Sequence, residues 1–110
     1  MEVLNEERGA VRRLVFEGEL TIYHAHALRD TLTHALAASG EVEADLAGVT
    51  DIDTAGIQVL MAAKRAAERR GRALRLLSHS PPVVALIELY DLAGWFGDPL
   101  VLTPEAEAAR

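Results

Sequence analysis

Apolar positions along the chain switch between a period of two and a period near 3.6, and the order of the switches predicts the elements. Val11 to Leu20 (VRRLVFEGEL) sets Leu14 and Phe16 on one face against Arg13 and Val15 on the other, a strand that closes at Gly18. Thr21 then precedes Ala25, Leu28, Leu32, Ala35 and Leu36, a stripe at helical spacing that stops before Ser39-Gly40. Glu41 to Val49 alternates Val42, Ala44 and Leu46 with Glu41, Glu43 and Asp45, the pattern of a half-buried strand, and Asp51 to Gly56 reads as a turn. Ile57, Leu60, Met61, Ala63 and Ala67 form a second helical stripe ended by Gly71. Ala73 to Leu77 is a third strand, with Leu74 and Leu76 opposite Arg75. Ser80-Pro81-Pro82 opens a third helix, because proline in the first turn forfeits no hydrogen bond, and its stripe is Val83, Val84, Ile87 and Leu92. Pro99 to Thr103 predicts a last strand, and Met1 to Asn5 an additional first one.

The resulting order, β-β-α-β-α-β-α-β, implies an α/β fold. A mixed, mostly parallel sheet of four or five strands carries helices through right-handed crossovers, and the first two strands form an antiparallel hairpin. The chain reads as one domain over residues 1–110, with a core from about residue 10 to residue 103 and an Ala/Glu-rich tail from Pro104 to Arg110.

Composition narrows the partners. Half of the 110 residues are hydrophobic, too many for a disordered acidic chain, yet no run approaches the ~18 apolar residues of a membrane span. The net charge of −6 argues against nucleic acid as a partner. Cysteine is absent, which removes disulfides, thiolate metal sites and cysteine nucleophiles. Met1 leads into Glu2, Glu6 and Glu7 without a basic stretch and an apolar one, so no secretory leader and a cytoplasmic location are expected.

Candidate chemistry is sparse. His24 and His26 lie two apart on the expected helix and point about 200° away from each other, and His26 and His34 are two turns apart, so no metal site is expected. Six of the 11 cations fall between Lys64 and Arg75, as the solvated end of a helix or as a docking patch for an acidic partner. No phosphate loop, dinucleotide fingerprint or nucleophile elbow occurs, and Asp51 and Asp53 have no basic or metal companion, so neither catalysis nor a cofactor is expected. The informative stretch is Asp53-Thr54-Ala55-Gly56, at the carboxyl end of a strand and the start of a helix, where open α/β sheets place ligands. Asp53 or Thr54 can serve there as an N-cap, or the helix terminus can receive an anion such as a phosphate; the residues leave both readings open.

These residues resemble the STAS domain, the fold of bacterial anti-sigma factor antagonists and of sulfate transporter tails. Its central signature stands here as Asp45-Leu46-Ala47-Gly48-Val49 followed by Ile52-Asp53-Thr54-Ala55-Gly56-Ile57. Gly18-Glu19-Leu20 matches a second family feature, and Ser80-Pro81-Pro82-Val83 through Leu92-Ala93-Gly94-Trp95-Phe96 a third. The resemblance implies a protein-binding switch that docks on a kinase-like or ATPase partner through Asp51, Asp53, Thr54, Ala55, Gly56 and Gln58, with Gly18, Glu19 and Thr21 as a second surface. The sequence departs from the antagonist pattern in two places: Ala55 stands at the usual phosphoacceptor serine, leaving Thr54 as the hydroxyl of the loop core, and Thr21 stands where many antagonists carry an acidic residue. Asp-Thr-Ala-Gly also resembles the STAS subunit of ABC-type phospholipid transport systems and STAS proteins of chemotaxis-like operons. Trp95 and Phe96 are expected to close the core, as adjacent aromatics near a final strand do. With no phosphate loop and no paired acid and base, the purified protein is expected to hydrolyse neither ATP nor GTP. Multiple-turnover hydrolysis that persists through repeated purification would contradict that.

Overall fold

The computed structural model describes residues 1–96, so the strand expected over Pro99–Thr103 and the tail lie outside the described residues. Strands β1 (Glu2–Arg8) and β2 (Val11–Leu20) form the antiparallel hairpin. Beyond a short 3₁₀ turn (Ile22–His24) come α1 (Ala25–Ala38), β3 (Glu41–Ile52), α2 (Thr54–Arg69), β4 (Ala73–Leu77), α3 (Pro81–Leu89) and a single turn, α4 (Ala93–Phe96). The sheet order is β1-β2-β3-β4, with β2, β3 and β4 mutually parallel.

One face of this sheet is apolar because the period-two pattern sends Leu14, Phe16, Val42, Ala44, Leu46, Leu74 and Leu76 to the same side. The stripes of α1 (Leu28, Leu32, Leu36), α2 (Ile57, Leu60, Ala67) and α3 (Val83, Ile87) join them in one buried cluster. The opposite face is polar. There the Arg13 guanidinium lies 2.7 Å from the Asp45 carboxylate across β2 and β3, and the Asp45 hydrogen bond raises the Arg13 pKa.

Three expectations need correction. The strand expected to end at Val49 runs on to Ile52, so Asp51 is a strand residue and not part of a turn. The cause is a pair of register shifts, between Val15 and Glu17 and between Gly18 and Glu19, which let 12 residues of β3 run beside 10 of β2. Each bulge breaks the alternation, so the inward residues after Leu46 are Val49 and Ile52, at a spacing that imitates a helix. Next, α3 stops at Leu89 and Leu92 is not on its stripe. Asp91 takes a left-handed φ of 53°, and the Leu92 N–H returns to the Ile87 carbonyl at 2.9 Å, which closes the helix in a Schellman arrangement and lets Leu92 pack beside the core.

The third correction concerns Trp95, which is 40% exposed and does not close the core. The Arg65 guanidinium sits 5.7 Å from its ring centre, so the indole lies against the outside of α2. The Phe96 side chain lies outside the described residues. Phe16, fully buried mid-sheet, carries the larger apolar burden. Phe16→Ala is therefore expected to cost ~3–5 kcal/mol in urea unfolding. Trp95→Ala is expected to cost only ~1–2 kcal/mol, from partial burial and an exposed cation–π contact. Equal losses would show that the indole is part of the core.

Candidate functional site

The end of β3, residue Asp53 and the first turn of α2 are built around a close approach to the end of β2. Asp53 has extended backbone angles and caps α2: its Oδ1 accepts the Gly56 N–H at 3.0 Å. Its Oδ2 accepts the N–H of Ile22 at 2.9 Å, and its own N–H reaches the Leu20 carbonyl at 3.4 Å. A Cβ on Gly56 would lie 2.0 Å from that same carbonyl oxygen, far closer than a carbon can come to an oxygen it is not bonded to. Glycine is thus required by space, and aspartate by having two acceptor oxygens for two N–H donors.

Of the two candidate caps the structure selects Asp53, and Thr54 is the exposed first residue of α2. Ala55 is half-buried and Gln58 is exposed one turn on, so the structure gathers Asp53, Thr54, Ala55, Gly56 and Gln58 in one place. Asp51 and Glu19 are register partners at the ends of β3 and β2, both exposed, and form an acidic rim. Gly18 is half-buried. Thr21 is not a surface residue: it is 8% exposed, and its Oγ1 has no hydrogen-bond partner among the described residues. The His24 N–H closes a 3₁₀ turn on the Thr21 carbonyl at 2.9 Å, and that turn presents Ile22 and Tyr23 in its place. His24 belongs to this turn and His26 to α1, so the two do not share a helix.

Ile22 and Tyr23 are the residues that sequence reasoning missed. They are 63% and 89% exposed, and Asp53 ties Ile22 directly to the loop that carries Thr54. Their signal was present: an apolar pair in a connector, off the stripe of the helix that follows. They place an exposed apolar and an exposed aromatic side chain beside the polar Asp53–Gly56 loop. Both oxygens of the Asp53 carboxylate are engaged as acceptors in holding the loop.

The Gly56 N–H, aided by that of Ile22 against slight desolvation, holds the Asp53 carboxyl below its ordinary pKa. A depressed carboxyl contributes stability above its unfolded pKa of ~4 that is lost as pH falls through the folded value. Asp53→Asn keeps one acceptor but turns an NH₂ group toward a donor N–H, so it is expected to destabilise by ~1–2 kcal/mol at neutral pH. That gap should shrink as the pH is lowered below ~4. A gap independent of pH would refute the charged brace. Gly56→Ala is expected to cost at least ~1–3 kcal/mol, because backbone must move to admit the methyl group.

Comparison with known proteins agrees with this architecture. No curated protein matches the sequence. Among solved structures, an anti-sigma factor antagonist from Mycobacterium paratuberculosis superposes with a TM-score of 0.73 at 20% identity, over 98% of this chain and 89% of that one. The Bacillus cell fate determinant SpoIIAA in its phosphorylated form gives 0.68 at 18% identity, over 98% and 96%. Mglu gives 0.60 at 25% identity, over 66% of this chain, and the match spans only 18% of Mglu. A family profile described as Mlab, STAS domain, matches residues 4–103. The protein whose β3-to-α2 loop is braced by Asp53 and Gly56 therefore belongs to the STAS domain family.

Proposed function

We infer that this protein is a non-catalytic regulatory module of the anti-sigma factor antagonist kind. It docks on a kinase-like or ATPase partner through the loop at Thr54, the first turns of α2 and the adjoining Ile22–Tyr23 turn. The observation that carries this reading is the exposure of Thr54 at a helix terminus already capped by Asp53. Its hydroxyl is not needed for capping, and it stands on a surface that the Asp53 brace keeps in one conformation. Pre-organisation of this kind lowers the ordering cost of association. Likeness in fold to an anti-sigma factor antagonist supports the same reading, and SpoIIAA in a phosphorylated form shows that a protein of this shape carries a phosphate.

A second reading, a STAS subunit of an ABC-type phospholipid transporter, is favoured by one specific feature. Ala55 supplies no hydroxyl at the usual acceptor position, so Thr54 is suited to constant contact with an ATPase, and the matching family profile bears the description Mlab. Mass spectrometry of proteins co-eluting with the wild-type chain separates the two, by a histidine-kinase-like ATPase or by an ABC ATPase.

Thr54→Glu is expected to abolish that co-elution while leaving the melting temperature unchanged or slightly raised. A carboxylate at a helix N-terminus is favoured by ~0.3–1 kcal/mol, whereas a new charge in a close interface is desolvated without a partner. Thr54→Ala is expected to stay within ~0.5 kcal/mol of wild type, since it removes no cap. Co-elution that survives Thr54→Glu would overturn the docking site, and a loss near 1 kcal/mol in Thr54→Ala would return Thr54 to a capping role.

A further inference from the structure

Between α1 and α2 runs an open groove of about 480 Å³, which begins at the docking loop with Ala55 and Gln58. Its floor is made of small side chains, among them Ala62, Ala63 and Ala66. It continues into a second hollow that shares Thr33, Ala63 and Ala66 with the first and ends at Arg70 and Arg72. From Ala55 to Arg70 the depression is ~22 Å long at ~1.5 Å per residue, about four turns of helix.

Its charge is one-sided. Acidic residues outnumber basic ones by 17 to 11 in the chain, yet no carboxylate lines either hollow, and the charged lining residues are Arg29, Arg70 and Arg72. Arg29 is balanced by Asp30 at 3.9 Å. At the far end, Arg72 donates to the Leu36 carbonyl in the last turn of α1, and neither Arg72 nor Arg70 has a carboxylate ion-pair partner among the described residues. Exposed Arg69 adds to the same end. An apolar trough whose cationic end has no carboxylate ion pair selects its occupant by complementarity: apolar side chains for the floor and carboxylates for the arginines.

We propose that this groove receives an amphipathic helix of the protein partner, laid along α1 and α2 with its acidic end on Arg70 and Arg72. The proposal rests on the reading that the Thr54 loop docks a protein, with which the groove is continuous. It extends the contact to the opposite end of α2 and gives the partner a stated chemistry. The small floor side chains let a helix backbone approach closely, so that larger apolar groups on the incoming helix fill the trough. The arginines then fix direction and register, which an alanine floor alone does not.

The test uses a fluorescein-labelled amphipathic helical peptide of about 15 residues, leucine on one face and glutamates at one end, and a control with lysines in place of the glutamates. Anisotropy titration of the whole protein is expected to show the glutamate peptide binding at least about tenfold more tightly than the lysine peptide, with the preference falling at high salt. Ala66→Glu, at an exposed helix position, and Arg70→Glu are each expected to remove that preference without changing the circular dichroism spectrum. The peptide titration reads the groove and the co-elution of Thr54→Glu reads the loop, so failure of the groove and failure of the loop are read separately. Equal affinity for the two peptides, no binding of either, or binding indifferent to both groove variants would overturn the proposal.

Discussion

The approach of the Leu20 carbonyl to the first turn of α2 is the constraint on which the rest of this molecule depends. It brings the ends of two parallel strands and the start of a helix within one hydrogen-bonding distance of each other, and it leaves no room for a side chain at position 56. Asp53 then binds the three pieces with a single carboxylate, one oxygen on the helix and one on the Ile22 turn. Hydrogen bonds to a charged group are worth more than those between neutral ones, and a domain of this size is held by only ~5–15 kcal/mol.

That constraint also explains the length of β3. The two bulges let β3 gain two residues on β2, so that Ile52 ends level with Leu20 and Asp53 emerges beneath the 3₁₀ turn. A regular ladder of equal strands would place the loop and the turn out of step. The bulges are therefore part of how the site is built, as is common near functional sites of sheets.

The division of labour between the faces follows. Leucine, valine and isoleucine on the covered face supply the core, and the opposite face carries its charges in pairs such as Arg13 with Asp45. Around the Asp53–Gly56 loop the surface is neither: Ile22 and Tyr23 are apolar and exposed, Glu19 and Asp51 are acidic, and the groove beyond Gln58 is lined by alanine and arginine. Apolar, acidic and basic groups thus lie side by side on this end of the molecule.

The sequence by itself determined the order of elements, the inward residues of each regular stretch and the loop at Asp53–Gly56. These depend on short-range periodicity and on turn chemistry, which a linear pattern records directly. It could not determine whether Asp53 or Thr54 caps α2, because both side chains are competent and the choice falls to the one that Ile22 also meets, 31 residues away in sequence. The last residues of β3 were hidden for a related reason: a bulge is defined by the neighbouring strand, and its inward spacing of three is indistinguishable from a helical pattern along one chain. Thr21 and Trp95 were misplaced because burial is decided by what lies above a residue, and the covering elements come from elsewhere in the fold. The groove is the clearest case. Its alanines are unremarkable along either helix, and only the packing of α1 beside α2 turns them into a trough with arginine at its end.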